Sequence, residues 1–301
     1  MEIGVFNMLG DIKIKNKFGK TICVGRFESV NAIIEYYAII KKAFISCNFD
    51  NTLLCDVNFC KSRLIDCSFV DSTIYECNME ECYIHSCAFQ KAKIIKTNMD
   101  MVEARKTCFN KASFAQCQIS LSKIINCSFK KASFDSSTKI LRSKIYESSF
   151  IEAALINVSF TGSRISDSDF NEAYLSGAYL DDCVIFNTTF HYAKMKHMSL
   201  IGSNIDHSSI MLNCHIESIK ASDRLVAQLI YHVTRLDFSE CSDIVQSELV
   251  DILEGPLGDM FLNYRTDLRS AEKTLQNHNW ILFRKGNKTN NESDINERTV
   301  Y

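Results

Sequence analysis

An apolar residue returns at every fifth position from Phe44 onward, and no ordinary element has that period. The run begins Phe44, Phe49, Leu54, Phe59, Leu64, Phe69, Ile74, Met79, Ile84, Phe89 and continues through Ile94, Met99, Ala104, Phe109, Phe114, Ile119, Ile124, Phe129 and Phe134. It slips by one residue, resumes at Ile140, Ile145, Phe150, and closes near Ile205 and Ile210. A helix repeats every 3.6 residues and a strand every 2, so neither explains the beat. A coil that turns at every repeat does. Two residues before each apolar position sits a small one, such as Cys47, Cys67, Ala92, Ala112, Ser143, Ser163, Ala173 or Ser203.

Four such turns close a square coil of twenty residues, and that longer period is directly visible. Every fourth repeat reads Phe49, Phe69, Phe89, Phe109, Phe129, Phe150, Phe170, Phe190. The next wall reads Leu54, Ile74, Ile94, Phe114, Phe134, Leu155, Leu175, Met195, and the wall opposite that one is mostly isoleucine. The register survives the slip only if residues 135–140 form one six-residue side, most simply a bulge. Like residues then lie over one another at about 4.8 Å, giving a filled prism on the order of 40 Å long.

This pattern resembles the pentapeptide-repeat family over about residues 44–212. The likeness is specific in phase and loose in letters: the family's Ala-(Asp/Asn)-Leu core is approached at Ala178-Tyr179-Leu180, while Cys or Ser often takes the small slot elsewhere. The resemblance implies an all-β solenoid, a right-handed quadrilateral β-helix, with a small α-helical C-terminal region. The expected division is an N-terminal cap at 1–43, the β-helix at 44–217, a helical region at 218–284 and a disordered tail at 285–301. Within the cap, FESVNAIIEYYAIIKK (27–42) reads as a short helix opened by Ser29 that covers the first coil. Beyond Ile210, Leu225, Leu229, Val233 and Leu236 take up helical spacing behind Ser222-Asp223, and further helices are expected over 242–254 and around Phe261–Leu275.

The phase also explains the cysteines. Of fourteen, Cys47, Cys67, Cys77, Cys82, Cys87, Cys117, Cys127 and Cys183 fall in the small inward slot, where they pack as reduced thiols. Cys55, Cys60 and Cys108 point outward, which suits a reducing compartment. No HExxH, P-loop, GxSxG or paired Cys-His spacing occurs, so no catalytic residue, cofactor or metal is expected. Nor is there an 18-residue uncharged apolar run to span a membrane. The N-terminal MEIGVFNMLGDIKIK lacks the layout of a secretory signal, so none is expected.

Charge is banded although the net charge is only −2. Residues 50–81 hold seven acids and two bases, residues 91–144 twelve bases and three acids, and residues 147–206 eight acids and three bases. The coil period stacks Lys91, Lys111 and Lys131, with Lys130, on the phenylalanine wall, and Lys123, Lys144 and Arg164 on the isoleucine wall. These seven are the candidate interaction band, for a host protein or an anionic membrane surface; no nucleic-acid partner is expected.

Cys/Ser-rich repeats alternating with Phe, the appended helical region and the lack of a cleaved signal together resemble pentapeptide-repeat effectors of Gram-negative pathogens. That likeness implies a non-catalytic scaffold delivered into host cells by type III secretion and otherwise held in the bacterial cytoplasm. Two other readings are carried. One is a gyrase-binding DNA mimic, which wants a continuous acidic rod. The other is a remnant of a HECT-like ubiquitin ligase lacking its catalytic lobe, for which ligase activity is not expected.

Overall fold

The protein was analysed as a computed structural model that describes residues 10–15, 18–27, 29–41, 43–205, 215–217 and 220–221. Its main body is the parallel β-solenoid of five-residue sides. Successive coils pair in register at a stride of twenty. One face runs Phe44–Ile45, Arg63–Ile65, Tyr83–His85, Glu103–Arg105, Lys123–Ile125 and on to Asn204–Ile205 as a nine-stranded parallel sheet. The opposite face begins as a five-stranded sheet from Leu53–Cys55 to Ser133–Phe134. Between them, two narrower faces are held by single bridges, such as Asn48 to Ser68 to Ala88 and Asn58 to Asn78 to Asn98. We number the faces in chain order from the one carrying Phe49: first, second (Leu54), third (Phe59) and fourth (Leu64).

The eight phenylalanines of the first face form one continuous stack. Phe69 and Phe89 have ring centroids 4.5 Å apart and planes 3° from parallel, and Phe89 to Phe109 follows at 4.9 Å. Phe129 to Phe150 keeps 4.6 Å although 21 residues separate them. Phe114 and Phe134 stack likewise at 4.5 Å on the second face. These rings are fully buried or nearly so, and offset aromatic stacking adds to the area they remove from water.

Turning a strand through a right angle every five residues needs a backbone that ordinary residues avoid. The second residue after each central apolar position has φ near +55°, from Asn51 (54°) to His197 (55°). Most of these corners are not glycine, although the left-handed conformation costs roughly 1–2 kcal/mol for other residues. The ladder offsets that cost. Each corner N–H donates to a carbonyl of the next coil: Asn51 to Val70 at 2.9 Å, Lys91 to Asn110 at 3.0 Å, Lys111 to Lys130 at 2.9 Å. Turns leaving the first and third faces add a bond within the corner, as from Ala112 N–H to the Phe109 carbonyl at 3.0 Å.

The slip is the six-residue side expected from the sequence. Between Phe134 and Ile140 the extra residue lets the chain turn with no left-handed residue, and the ladder stride passes from 20 to 21. Asp135 fastens this side, its Oδ1 accepting from Thr138 N–H (2.9 Å), Thr138 Oγ1 (2.8 Å) and Gln116 N–H of the coil below (3.0 Å). Thr138 thereby fills the small inward slot, fully buried.

The first coil would otherwise present an open edge. A hairpin of β1 (Gly10–Lys15) and β2 (Thr21–Phe27), followed by α1 (Val30–Ile39), lies there. Ser29 caps α1 by accepting from Ala32 N–H at 3.1 Å. Lys15 O receives Asn48 N–H at 2.8 Å, and Asn31 Nδ2 donates to Cys55 O at 2.6 Å. Ile33 and Ile34 are fully buried, and Tyr37 meets Phe44 at 5.8 Å. At the far end His215–Glu217 pairs in parallel with Lys194–Lys196. The chain divides into two units, Met1–Lys220 and Ala221–Tyr301. The helices expected beyond residue 221, and the tail, lie outside the described residues.

Two outcomes follow. Phe109→Asp places an unpaired carboxylate inside the ring stack at a cost of several kcal/mol; circular dichroism should show loss of the fold, while Phe109→Leu should keep it with a lower melting temperature. Gln116, at φ 55°, is held to Asp135 Oδ1 through its backbone N–H. Gln116→Gly should therefore stabilise by up to about 1 kcal/mol and Gln116→Val destabilise, measured by denaturant titration.

Candidate interaction surface

Each outward position repeats up the solenoid as a column, so the surface is a set of vertical stripes one residue wide. The column at the corner between the first and second faces reads Asn51, Asp71, Lys91, Lys111, Lys131, Glu152, Glu172, Tyr192. Its charges pair where the sign changes: Lys91 with Asp71 at 3.9 Å and Lys131 with Glu152 at 3.1 Å. Lys111 lies between two cations, and neither it nor Lys130 has an ion pair with another described residue. The Lys130 N–H is held by Asn110 Oδ1 at 3.0 Å, which fixes the start of its side chain.

Lys123, Lys144 and Arg164 are successive ladder partners in the fourth-face sheet. Lys123 reaches Glu103 at 3.5 Å, but the same carboxylate already takes Arg105 Nε at 2.6 Å. The Arg105 hydrogen bond is the main reason the Glu103 carboxyl is held below its usual range. Arg164 lies over the Phe186 ring at 5.0 Å. These three residues open the fourth face, beside its corner with the third. The seven band residues thus divide into two ridges on diagonally opposite corners of the prism: the structure brings each set together and keeps the two sets apart.

Sequence reading missed the ion pairs that form across coils, within the acidic band at Lys61–Glu81 (3.4 Å) and across its edge at Lys96–Glu76 (3.0 Å). It also passed over Met101 and Leu121, apolar residues standing at exposed corners. Both are legible in the outward columns at the stride of twenty.

Most of the inward cysteines are chemically quiet; Cys67 is the exception, its thiol held below its ordinary value by hydrogen bonds with the stacked Cys47 and Cys87. All eight are buried, and none forms a disulfide with another described residue. From Cys67 onward their thiols cap carbonyls of the preceding coil, as Cys67 to Phe44 O (3.2 Å) and Cys82 to Phe59 O (2.9 Å). Ser122 and Ser163 do the same through hydroxyls at 2.9 Å. Burial pushes Cys77, Cys117 and Cys127 up to about 11, and Cys82 and Cys183 up to about 12. Such thiols are poor nucleophiles and poor ligands. Among the described residues no cluster of three or more metal-ligating side chains occurs, and no helix is long and apolar enough to cross a membrane. Cys214 and Cys241 lie outside the described residues.

A four-sided parallel solenoid with five residues to a side, small residues alternating with large in its core, defines the class: a pentapeptide-repeat solenoid. The family model described as pentapeptide repeats matches residues 148–185 and 168–206, and this supports the pentapeptide-repeat assignment. Among solved structures, the chain is similar to HetL, a pentapeptide repeat protein involved in heterocyst differentiation regulation from the cyanobacterium Nostoc sp. strain PCC 7120. That match has 14% identity and a TM-score of 0.42, covering 63% of this chain and 94% of that one. It is also similar to QnrB1, a plasmid-mediated fluoroquinolone resistance protein, at 16% identity and a TM-score of 0.34, covering 64% and 95%. No curated protein matches the sequence.

The raised thiols give a pH dependence with a definite sign. A group whose pKa is higher folded than unfolded stabilises fully below its unfolded value, and that contribution is lost as pH rises. Five thiols raised from 9 to about 11 or 12 should make stability fall steeply above pH 9. Denaturant midpoints between pH 7 and 11 check this, a flat profile contradicting it. Alkylation mapped by mass spectrometry at neutral pH should spare the eight inward cysteines until denaturant is added.

Proposed function

We propose that this protein is a non-catalytic protein-interaction scaffold, delivered into host cells by type III secretion, whose first–second corner docks an acidic surface of a partner protein. The observation that carries the docking reading is the run Lys91, Lys111 and Lys131 on three consecutive coils, with Lys130 beside it. A regular backbone ladder holds their Cα atoms, so little backbone ordering remains to oppose binding. The cations at its centre, Lys111 and Lys130, are not committed to another described side chain. Aligned charges of this kind raise association rate and fix register more than they raise affinity.

The delivery reading rests on the effector-like repeat composition. Eleven cysteines that form no disulfide among the described residues suit work in a reducing compartment. A gyrase-binding DNA mimic would need acids running unbroken along a face; on this corner three lysines separate Asp71 from Glu152. The ligase-remnant reading rests on residues 221–283, outside the described residues.

The test replaces Lys91, Lys111, Lys130 and Lys131 by Glu in the full chain. Proximity labelling in transfected host cells should show wild type marking a reproducible set of proteins and the variant losing it. Circular dichroism should remain that of the solenoid. An identical labelled set would return the corner to plain surface. In a supercoiling assay the wild-type chain should leave gyrase active; inhibition abolished by neutralising Asp66, Asp71 and Glu76 would favour the mimic instead.

A further inference from the structure

The corner between the third and fourth faces carries two successive aliphatic residues where the other corners are almost wholly polar, charged or glycine. Left-handed corner residues are polar, charged or glycine at all described positions except Met101, Leu121 and Tyr192. Met101 and Leu121 are vertical neighbours in the column Lys61, Glu81, Met101, Leu121, Arg142, Gly162. Their N–H groups enter the ladder at 2.8 Å (to Ser120 O) and 2.9 Å (to Leu141 O). Their side chains stand out from the prism, 44% and 57% exposed. Leucine gains nothing for the fold there: the backbone is strained, the side chain is wet, and a polar residue serves equally well one coil away on either side.

Cations lie beside and above Leu121, while Glu81 and Glu103 stand below and beside Met101, Glu81 paired with Lys61 and Glu103 with Arg105. Lys123, Lys144 and Arg164 rise in register beside the pair on the fourth face. Arg142 continues the corner column above Leu121, and Gly162 over it has no side chain. A Cβ at Gly162 would come within 3.1 Å of Arg142 Cγ, so the glycine leaves room for the arginine arm. Arg142, Lys144 and Arg164 make no ion pair with another described residue, while Glu103 is shared by Arg105 and Lys123.

A corner is convex and carries its residues in one vertical column, so it can lie against a plane. A bilayer carrying anionic lipid is such a plane. It offers phosphates and carboxylates to the cations and a hydrocarbon boundary just beneath them to the two apolar tips. We propose that Met101 and Leu121, flanked by Lys123, Arg142, Lys144 and Arg164, dock the solenoid on an anionic membrane surface. This ridge is diagonally opposite the lysine corner assigned above to a partner protein, so either assignment can fail alone.

The experiment is co-sedimentation of the full-length chain with vesicles of phosphatidylcholine, with and without phosphatidylserine. The wild-type chain should sediment only with phosphatidylserine present, less so as salt rises. Met101→Gln with Leu121→Gln should weaken binding about tenfold with unchanged melting. Lys144→Glu with Arg164→Glu should abolish it, and Lys111→Glu with Lys130→Glu should leave it intact. No sedimentation at low salt would overturn the proposal. So would equal binding by the Met101→Gln, Leu121→Gln chain, or loss confined to the Lys111 and Lys130 variants. Equally tight, Leu121-dependent capture by soluble poly-glutamate would overturn it in favour of an acidic polypeptide partner.

Discussion

The parallel ladder between coils is the interaction on which everything else depends. Its bonds along the axis, close to 2.9 Å from coil to coil, fix the vertical spacing, and that spacing suits stacked phenyl rings. The same bonds hold some thirty backbone positions in a left-handed conformation that most of their residues would not choose. Each corner is strained alone and held from above, so coils stabilise one another and a single coil would not persist. The helix and hairpin at the N-terminal edge occupy one of the places where that mutual support would end.

The ladder also turns sequence into surface. A residue's vertical neighbours are set by adding or subtracting twenty, so a short lysine run in three repeats becomes a ridge, and two apolar corner residues become a paired anchor. Charges of opposite sign in consecutive coils meet as ion pairs. These exposed contacts contribute little to stability individually; their consequence is to decide which cations stay available. Among those that remain, Lys111 and Lys130 share one corner and Arg142, Lys144 and Arg164 lie at the diagonally opposite one, an arrangement suited to a scaffold that contacts two different surfaces.

Much of the fold was legible because the core tolerates so little. Phe49 to Phe190 could be read as one column, since only a stride of twenty aligns them, and the six-residue side at 135–140 was visible as the single break in the beat. The small slot was legible too, and it explains why cysteine, serine, threonine and alanine interchange there: each fits under a neighbouring coil, and the first three also satisfy a carbonyl. The family model matches only residues 148–206, where Ala153, Ala173 and Ala178 with Leu155, Leu175 and Leu180 use the commoner letters. The surface was less legible. Net charge per band could be counted, but Glu103 choosing Arg105 before Lys123, or Gly162 yielding space to Arg142, depends on side-chain reach that periodicity does not encode. Asp135 was seen as one acid in a basic band, when its work is to pin the irregular side.

The central claim is that residues twenty apart, not three or four apart, are the close neighbours in this protein. Aromatic nuclear Overhauser contacts in a chain with labelled phenylalanine test it most directly. The account expects the Phe69 ring to contact both Phe49 and Phe89, and the Phe129 ring to contact Phe109 below and Phe150 above. Absence of these contacts, or backbone contacts of helical spacing through residues 60–130, would contradict it.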